Sequence, residues 1–257
     1  MVTGNTKRVA EKIAEGIRHD GSTCDTVHLT KYEDDLKKIG SINLQEYDLL
    51  GLGVPTYYFH PPYHILFELE KYPSLKGIKG FLFCTSGGNP GSTLHQLKVI
   101  LKQKGLHVID GHDKWMGWDV HQMYGNFGGS LPSSKGHPNK EELQSAFEFG
   151  KNLVKKCLDP NVPEKMFWDR ENPSAKMWTF ERMQTWFPEF HLNEEKCTKC
   201  GYCAEICPVD SIILDPYPKW IKDCDRCYIC DLKCPENAIE CDFTEQIAYL
   251  ERLMKKR

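Results

Sequence analysis

No stretch of the 257 residues approaches the ~18 consecutive apolar residues that would read as a membrane span. A charged-then-apolar leader is missing too, so a cytoplasmic location is expected. Charge of one sign is scarce as well. The 33 lysines and arginines face 36 acids for a formal net charge of −3, which removes the basic excess that nucleic-acid binding demands. No nucleophile can be paired with a base by pattern, and His60, His64 and His121 show no ligand spacing. They read as surface or packing residues.

What remains describes a folded globular chain with 40% hydrophobic and 27% charged residues. Its length is roughly 1.7 times a typical domain of about 150 residues, enough for one ordinary domain and a smaller one. Twelve cysteines stand out, and eight of them fall between residues 197 and 234. In a reducing compartment such clustering points to metal rather than to disulfides. Cys24, Cys84, Cys157 and Cys241 lie outside the cluster and read as small buried hydrophobes.

The cluster is an internal repeat. CTKCGYCAEICPVDSI from Cys197 and CDRCYICDLKCPENAI from Cys224 superpose at a shift of 27 residues. Each half reads C-x2-C-x2-C-x3-C-P, in which three thiolates spaced by two residues can wrap one corner of a cubane and the fourth ligand must come from elsewhere. The proline fixes a torsion where the chain turns away. Structural zinc, which also uses C-x2-C pairs, is the alternative.

Residues 188–243 resemble bacterial two-cluster ferredoxins. In that family the last cysteine of each run ligates the other cluster. The resemblance therefore implies two [4Fe–4S] clusters, one on Cys197, Cys200, Cys203 and Cys234 and the other on Cys224, Cys227, Cys230 and Cys207. Six basic residues face twelve acids in this segment, a net of −6 that is able to steer docking to a basic partner.

In the first 157 residues the apolar runs YDLLGLGVP (47–55) and GFLFCTSGG (80–88) read as strands buried on both faces, with CDTVHL (24–29) and GLHVID (105–110) as weaker candidates. Helical spacing links Val9, Ile13 and Ile17; Ile65, Leu66 and Leu69; and Leu94, Leu97 and Leu101. A last helix through Leu143, Phe147, Gly150 and Val154 opens with Asn139 and Glu142, which fit a capping box. Alternating strands and helices predict an α/β doubly wound parallel sheet, whose ligands sit beyond the carboxyl ends of the strands.

Three loops would lie there. Thr3-Gly4-Asn5-Thr6 places hydroxyls and backbone N–H groups at a helix N-terminus, a setting for phosphate as well as for a simple N-cap. VPTYYFHPP (54–62) brings a proline and two tyrosines, and CTSGGNPGS (84–92) brings small residues that let backbone approach a flat ring. Together they resemble the flavodoxin family, which binds FMN. The likeness covers residues 1–157, and the whole chain resembles fusions of a flavodoxin-like domain to a two-cluster ferredoxin. It implies that Thr3, Gly4, Asn5 and Thr6 hold the FMN phosphate while Pro55, Thr56, Tyr57, Thr85, Ser86, Gly87 and Gly88 line its ring.

A sheet of order 2-1-3-4-5 needs a central strand leading into Thr3, where only Met1 and Val2 stand. The expectation is an upstream strand on about 6–10 further residues. Residues 111–138 are expected as a long loop whose Trp115, Trp118, Tyr124 and Phe127 either cover the flavin, face the second domain or form a satellite core. Residues 158–187 read as an aromatic-rich linker, helical over 175–186, that docks the domains, and 244–257 as a terminal helix. The expected function is electron transfer, and so an oxidoreductase role, with a redox protein or a small-molecule acceptor as partner. The rival readings are a flavin-dependent reductase of a small molecule and a ferredoxin carrying a flavin-free docking domain.

Overall fold

The structure, a computed structural model, describes residues 3–118, 132–167 and 173–254. Its N-terminal domain is built on three parallel strands, β1 (Leu49–Pro55), β2 (Lys79–Ser86) and β3 (His107–Met116), hydrogen-bonded in that order. β2 is central and buried along nearly its whole length, which explains its unbroken apolar sequence. Helices α3 (Tyr63–Glu70) and α4 (Thr93–Gln103) make the crossovers and bury Ile65, Leu66, Leu69, Leu94, Leu97 and Leu101.

The opposite face is covered by α1 (Asn5–Arg18) and α5 (Lys140–Leu158). Val9 and Ile13 from α1 meet Phe81, Phe83 and Trp115 from the sheet and Ala146 and Leu153 from α5. The two helices touch through Gly16 and Gly150, where a Cβ on either would run into the other helix's backbone. The Asn139–Glu142 capping box forms as expected. Glu142 also accepts from the Met116 N–H at 2.8 Å, tying the start of α5 to the end of β3.

Three expectations are corrected. Residues 24–29 form no strand. They wall an apolar cleft of about 480 Å³ that is also lined by Leu50 and Leu52 of β1 and Ala10 and Ile13 of α1. A strand needs a ladder partner, and no described strand lies across that cleft. Residues 111–116 are not loop but the second half of β3, which keeps pace with β2 through two register shifts. Trp115 is accordingly core, 1% exposed and packed on His112, Phe83 and Phe149. Lastly, the helix over 175–186 breaks in two, α6 (Pro173–Met177) and α7 (Phe180–Trp186), because Thr179 leaves the helix and caps α7 through its hydroxyl. Tyr124 and Phe127 lie outside the described residues, as do Met1 and Val2.

Within the N-terminal domain α2 (Tyr32–Ser41) precedes β1. The C-terminal domain has two small antiparallel pairs, β4 (His191–Leu192) with β7 (Ile239–Glu240) and β5 (Ile212–Leu214) with β6 (Pro218–Trp220). One-turn helices α8 (Tyr202–Glu205) and α9 (Ile229–Leu232) carry the third cysteine of each run, Cys203 and Cys230, at the same 27-residue shift as the sequence repeat. α10 (Thr244–Met254) follows β7. Trp178, Met183 and Phe187 of the former linker form a buried cluster with Tyr228 and Phe243, against which Tyr58 and Phe59 of the N-terminal domain pack. No helix among the described residues is long and apolar enough to cross a membrane.

Candidate functional site

The carboxyl ends of β1, β2 and β3 and the N-terminus of α1 converge at one end of the sheet. Gly4 is the N-cap of α1 and takes the left-handed conformation, φ 73°, which favours glycine. No side chain caps the helix. The first-turn N–H groups are thus available to an anion, in the direction the helix dipole favours. Thr3 is exposed, but its hydroxyl accepts from the Asn5 amide at 2.6 Å, and the same amide donates to the Trp118 carbonyl at 3.0 Å. The Thr6 hydroxyl pairs with that of Thr85 at 2.7 Å, joining the first loop to the third.

The loop after β1 is tied to its neighbours as well. The Thr56 N–H donates to the Thr85 carbonyl at 2.8 Å, and the Thr56 hydroxyl pairs with Thr93 at 2.9 Å. Tyr57 and His60 exchange backbone hydrogen bonds, which closes a tight turn through Tyr58 and Phe59, both at positive φ. Non-glycine residues held there cost on the order of 1–3 kcal/mol each and mark shaped functional loops. Ser86 is buried, whereas Gly87 is half-buried and Gly88 exposed, so the third loop offers bare backbone. Ser133 leans over it, its hydroxyl donating to the Gly87 carbonyl at 3.5 Å. Pro55, Thr56 and Tyr57 are half-buried around the same opening. Uncapped N–H donors on one side and bare glycine backbone on the other fit a ligand with an anionic tail and a flat ring. The three loops read from sequence lie at this one end of the sheet, joined there by Trp118 and Ser133 from the 111–138 segment, whose individual contacts the sequence did not specify.

None of the twelve cysteines forms a disulfide. Cys197, Cys200, Cys203 and Cys234 line one small cavity in the C-terminal domain, so the last cysteine of the second run joins the first three of the first. The converse grouping shows in the thiols. Burial pushes Cys230 above the ordinary thiol range, and the nearby Cys227, Cys224 and Cys207 sulfurs add to the rise. Burial likewise raises Cys227, with Cys224 and Cys207 among its neighbours, and lifts Cys224 to about 11. Cys203 is raised by burial and by Cys200 and Cys234.

Both runs share one backbone plan. Lys199 and Arg226, Gly201 and Tyr228, and Asp210 and Asn237, each pair 27 residues apart, all adopt positive φ. In each run the sulfur of the fourth cysteine accepts a backbone N–H four residues on, Ser211 to Cys207 at 3.4 Å and Ala238 to Cys234 at 3.3 Å. Such bonds favour the thiolate, the form that ligates metal. A four-iron cubane held by four cysteines suits this donor set.

The domains meet beside the second run and along the end of the first. The Tyr58 hydroxyl donates to the Arg226 carbonyl at 2.7 Å while its ring lies 4.2 Å from that of Phe187. The His64 N–H and ring Nδ1 both contact Asp225 Oδ1, at 3.1 and 2.9 Å. Gln184 donates to the Cys224 carbonyl at 2.7 Å. The Tyr32 N–H donates to the Pro208 carbonyl at 2.9 Å, and Lys31 Nζ holds the Ala204 and Cys207 carbonyls and Asp210. Sequence reasoning missed all of these, since the partners lie far apart in the chain. His60 is a packing residue, buried between Gln96 and the Ala175 carbonyl. Cys84 is the buried hydrophobe expected of it, its thiol pushed to about 12 by burial, whereas Cys24, Cys157 and Cys241 are only half-buried.

A family model described as flavodoxin matches residues 2–150, and one described as a 4Fe-4S binding domain matches residues 190–213. The second match ends before the second cysteine run. Among solved structures, the flavodiiron core Flv1 from Synechocystis sp. PCC6803 is 18% identical with a TM-score of 0.42, covering 60% of this chain and 33% of its own. The chain thus spans about a third of that relative. A short-chain flavodoxin associated with a PDU bacterial microcompartment is 15% identical with a TM-score of 0.42, over 61% of this chain and 93% of that one. A flavoprotein from Lactobacillus acidophilus NCFM, solved in complex with FMN, is 23% identical with a TM-score of 0.31, over 44% and 88%. No curated protein matches the chain. The two domain matches support an electron-transfer role. With more than half of its residues matched by the flavodoxin model, the chain belongs to the flavodoxin family and continues into a 4Fe–4S ferredoxin-type domain.

Proposed function

We propose that this chain relays electrons between an FMN at the loop end of its parallel sheet and two [4Fe–4S] clusters in its C-terminal domain, in a reducing compartment such as the cytoplasm. The observation that carries the reading is the crossed grouping of the cysteines, Cys197, Cys200, Cys203 and Cys234 about one cavity and Cys207 with Cys224, Cys227 and Cys230. When bound, the clusters supply one-electron steps and the flavin exchanges one or two electrons.

The chain's own residues set the conditions. The α1 N-terminus behind Gly4, with Thr3, Asn5 and Thr6, receives the phosphate, while Pro55, Thr56, Tyr57 and Thr85 to Gly88 flank the ring. The N–H groups of Ser211 and Ala238 favour thiolate at Cys207 and Cys234. Burial excludes water from Cys203, Cys207 and Cys230. The partner is a redox protein, because the acidic C-terminal domain is suited to a basic docking surface.

The test is Thr6→Val together with Gly88→Val in the anaerobically loaded chain. Loss of FMN with iron retained is expected, and unchanged FMN content would overturn the flavin placement. Rapid turnover of a small acceptor without any protein carrier would instead favour a flavin-dependent reductase.

A further inference from the structure

The two cysteine quartets have nearly the same sequence but different surroundings. Cys200 is exposed and Cys197 half-buried, and the exposed Lys199, Tyr202 and Glu205 surround them. The second quartet has no exposed member: Cys207 and Cys230 are buried and Cys224 and Cys227 half-buried, against only Cys203 buried in the first, and the segment between Cys224 and Cys227 is held by the N-terminal domain. Asp225, 1% exposed, takes both contacts from His64. The Arg226 carbonyl, one peptide from Cys227, takes the Tyr58 hydroxyl. Tyr58 follows directly on Tyr57 in the loop that flanks the flavin opening, so a short chain of covalent bonds and one hydrogen bond joins that opening to the second quartet. Tyr32, 3% exposed, fills the same wall, its N–H on the Pro208 carbonyl next to Cys207.

We infer that the two clusters stand in a fixed series: the Cys207–Cys224–Cys227–Cys230 site is the inner station, bridged to the flavin loop through Tyr58 and Arg226, and the Cys197–Cys200–Cys203–Cys234 site is the outer station open to a partner. The inference rests on the proposed two-cluster, one-flavin relay. In each step a one-electron redox protein would give one electron to a cluster held by the outer quartet, a cluster held by the inner quartet would take it up in turn, and a flavin held by the Tyr57–Tyr58 loop would receive it. Two such steps, with protons from solvent, complete a two-electron reduction; the reverse sequence oxidises it.

The experiment uses the full chain loaded anaerobically, with iron and FMN counted first, and compares wild type with Cys200→Ala and Cys227→Ala. Electron paramagnetic resonance then reads two things: whether a soluble dysprosium chelate speeds relaxation of the surviving cluster, and whether that cluster speeds relaxation of the singly reduced flavin. In Cys227→Ala the surviving cluster should respond to the chelate and the effect on the flavin should be lost. In Cys200→Ala the flavin effect should persist and the chelate response should be lost. The reverse pattern, or equal behaviour of the two variants, would overturn the series. If either variant fails to fold, the partly reduced wild type decides, since one cluster showing both effects is incompatible with it. A chain without FMN, or with iron for one cluster only, would sink the relay reading itself, which separates that failure from a wrong order.

Discussion

The two cysteine runs differ less in what they contain than in what touches them. They share the C-x2-C-x2-C-x3-C-P spacing, three positive-φ positions and an N–H···S bond from four residues on. Yet the first run keeps Gly201 where the second has Tyr228, and the glycine serves only to turn the chain, φ 80°. Tyr228 takes the same turn at φ 53°, is 1% exposed, packs on Phe190 and Phe243 and donates to the Pro188 carbonyl at 2.9 Å. Spacing therefore sets who ligates, while packing against the rest of the chain sets how far each site is from water. A strained backbone is retained in the second run because the aromatic cluster over-determines it.

The largest break in this comparison comes from Cys207→Ser. Although Cys207 belongs to the first run, iron should fall to about half and the surviving cluster should be the one with Cys197, Cys200 and Cys203. Damage confined to that first cluster would refute the crossed grouping. Next is Tyr228→Gly, which makes the second run resemble the first at this position. Losing the buried ring costs about 3–5 kcal/mol and relief of the left-handed strain returns about 1–2, so a net loss of about 1–4 kcal/mol should appear in thermal melts of the loaded chain. A neutral result would mean that the aromatic cluster does not hold the second run.

A smaller effect is expected of Lys31→Met, which removes the ammonium from the Ala204 and Cys207 carbonyls and Asp210. Because the lysine is partly exposed, about 1–2 kcal/mol is expected, and protease nicking near residue 204 should rise. Equal stability with unchanged nicking would show that this clamp does not join the domains.

The smallest effect uses Cys84 as a cysteine outside both runs. Burial raises its pKa to about 12, against ~8.5 in an unfolded chain. Above ~8.5 the unfolded chain gives up the proton that the folded chain keeps. The contribution is thus fully present below that pH and is lost as pH rises toward 12. Urea midpoints of wild type should fall between pH 8 and 10 more steeply than those of Cys84→Ala, and parallel curves would contradict the assignment.

Much of this was legible in residues close together in sequence. Glycine-bounded apolar runs marked β1 and β2, Asn139 and Glu142 marked the start of α5, and the 27-residue repeat marked both quartets. Features that depend on distant partners were not. Residues 24–29 have strand composition but no described ladder to join. The polar His112, Asp113 and Lys114 hid the second half of β3, because an edge strand tolerates side chains that a central one would not. Tyr58 read as a rim aromatic, and only the fold brings its hydroxyl to Arg226, 168 residues away. Lys31 and the His64–Asp225 contact left no local pattern for the same reason.

The most direct test of the central claim is the count of iron, sulfide and FMN per chain after anaerobic purification of the full polypeptide. Two clusters and one flavin predict about eight irons, about eight sulfides and about one FMN. About four irons, zinc in place of iron, or no FMN alongside full iron would each contradict a relay that joins both quartets to the flavin loops.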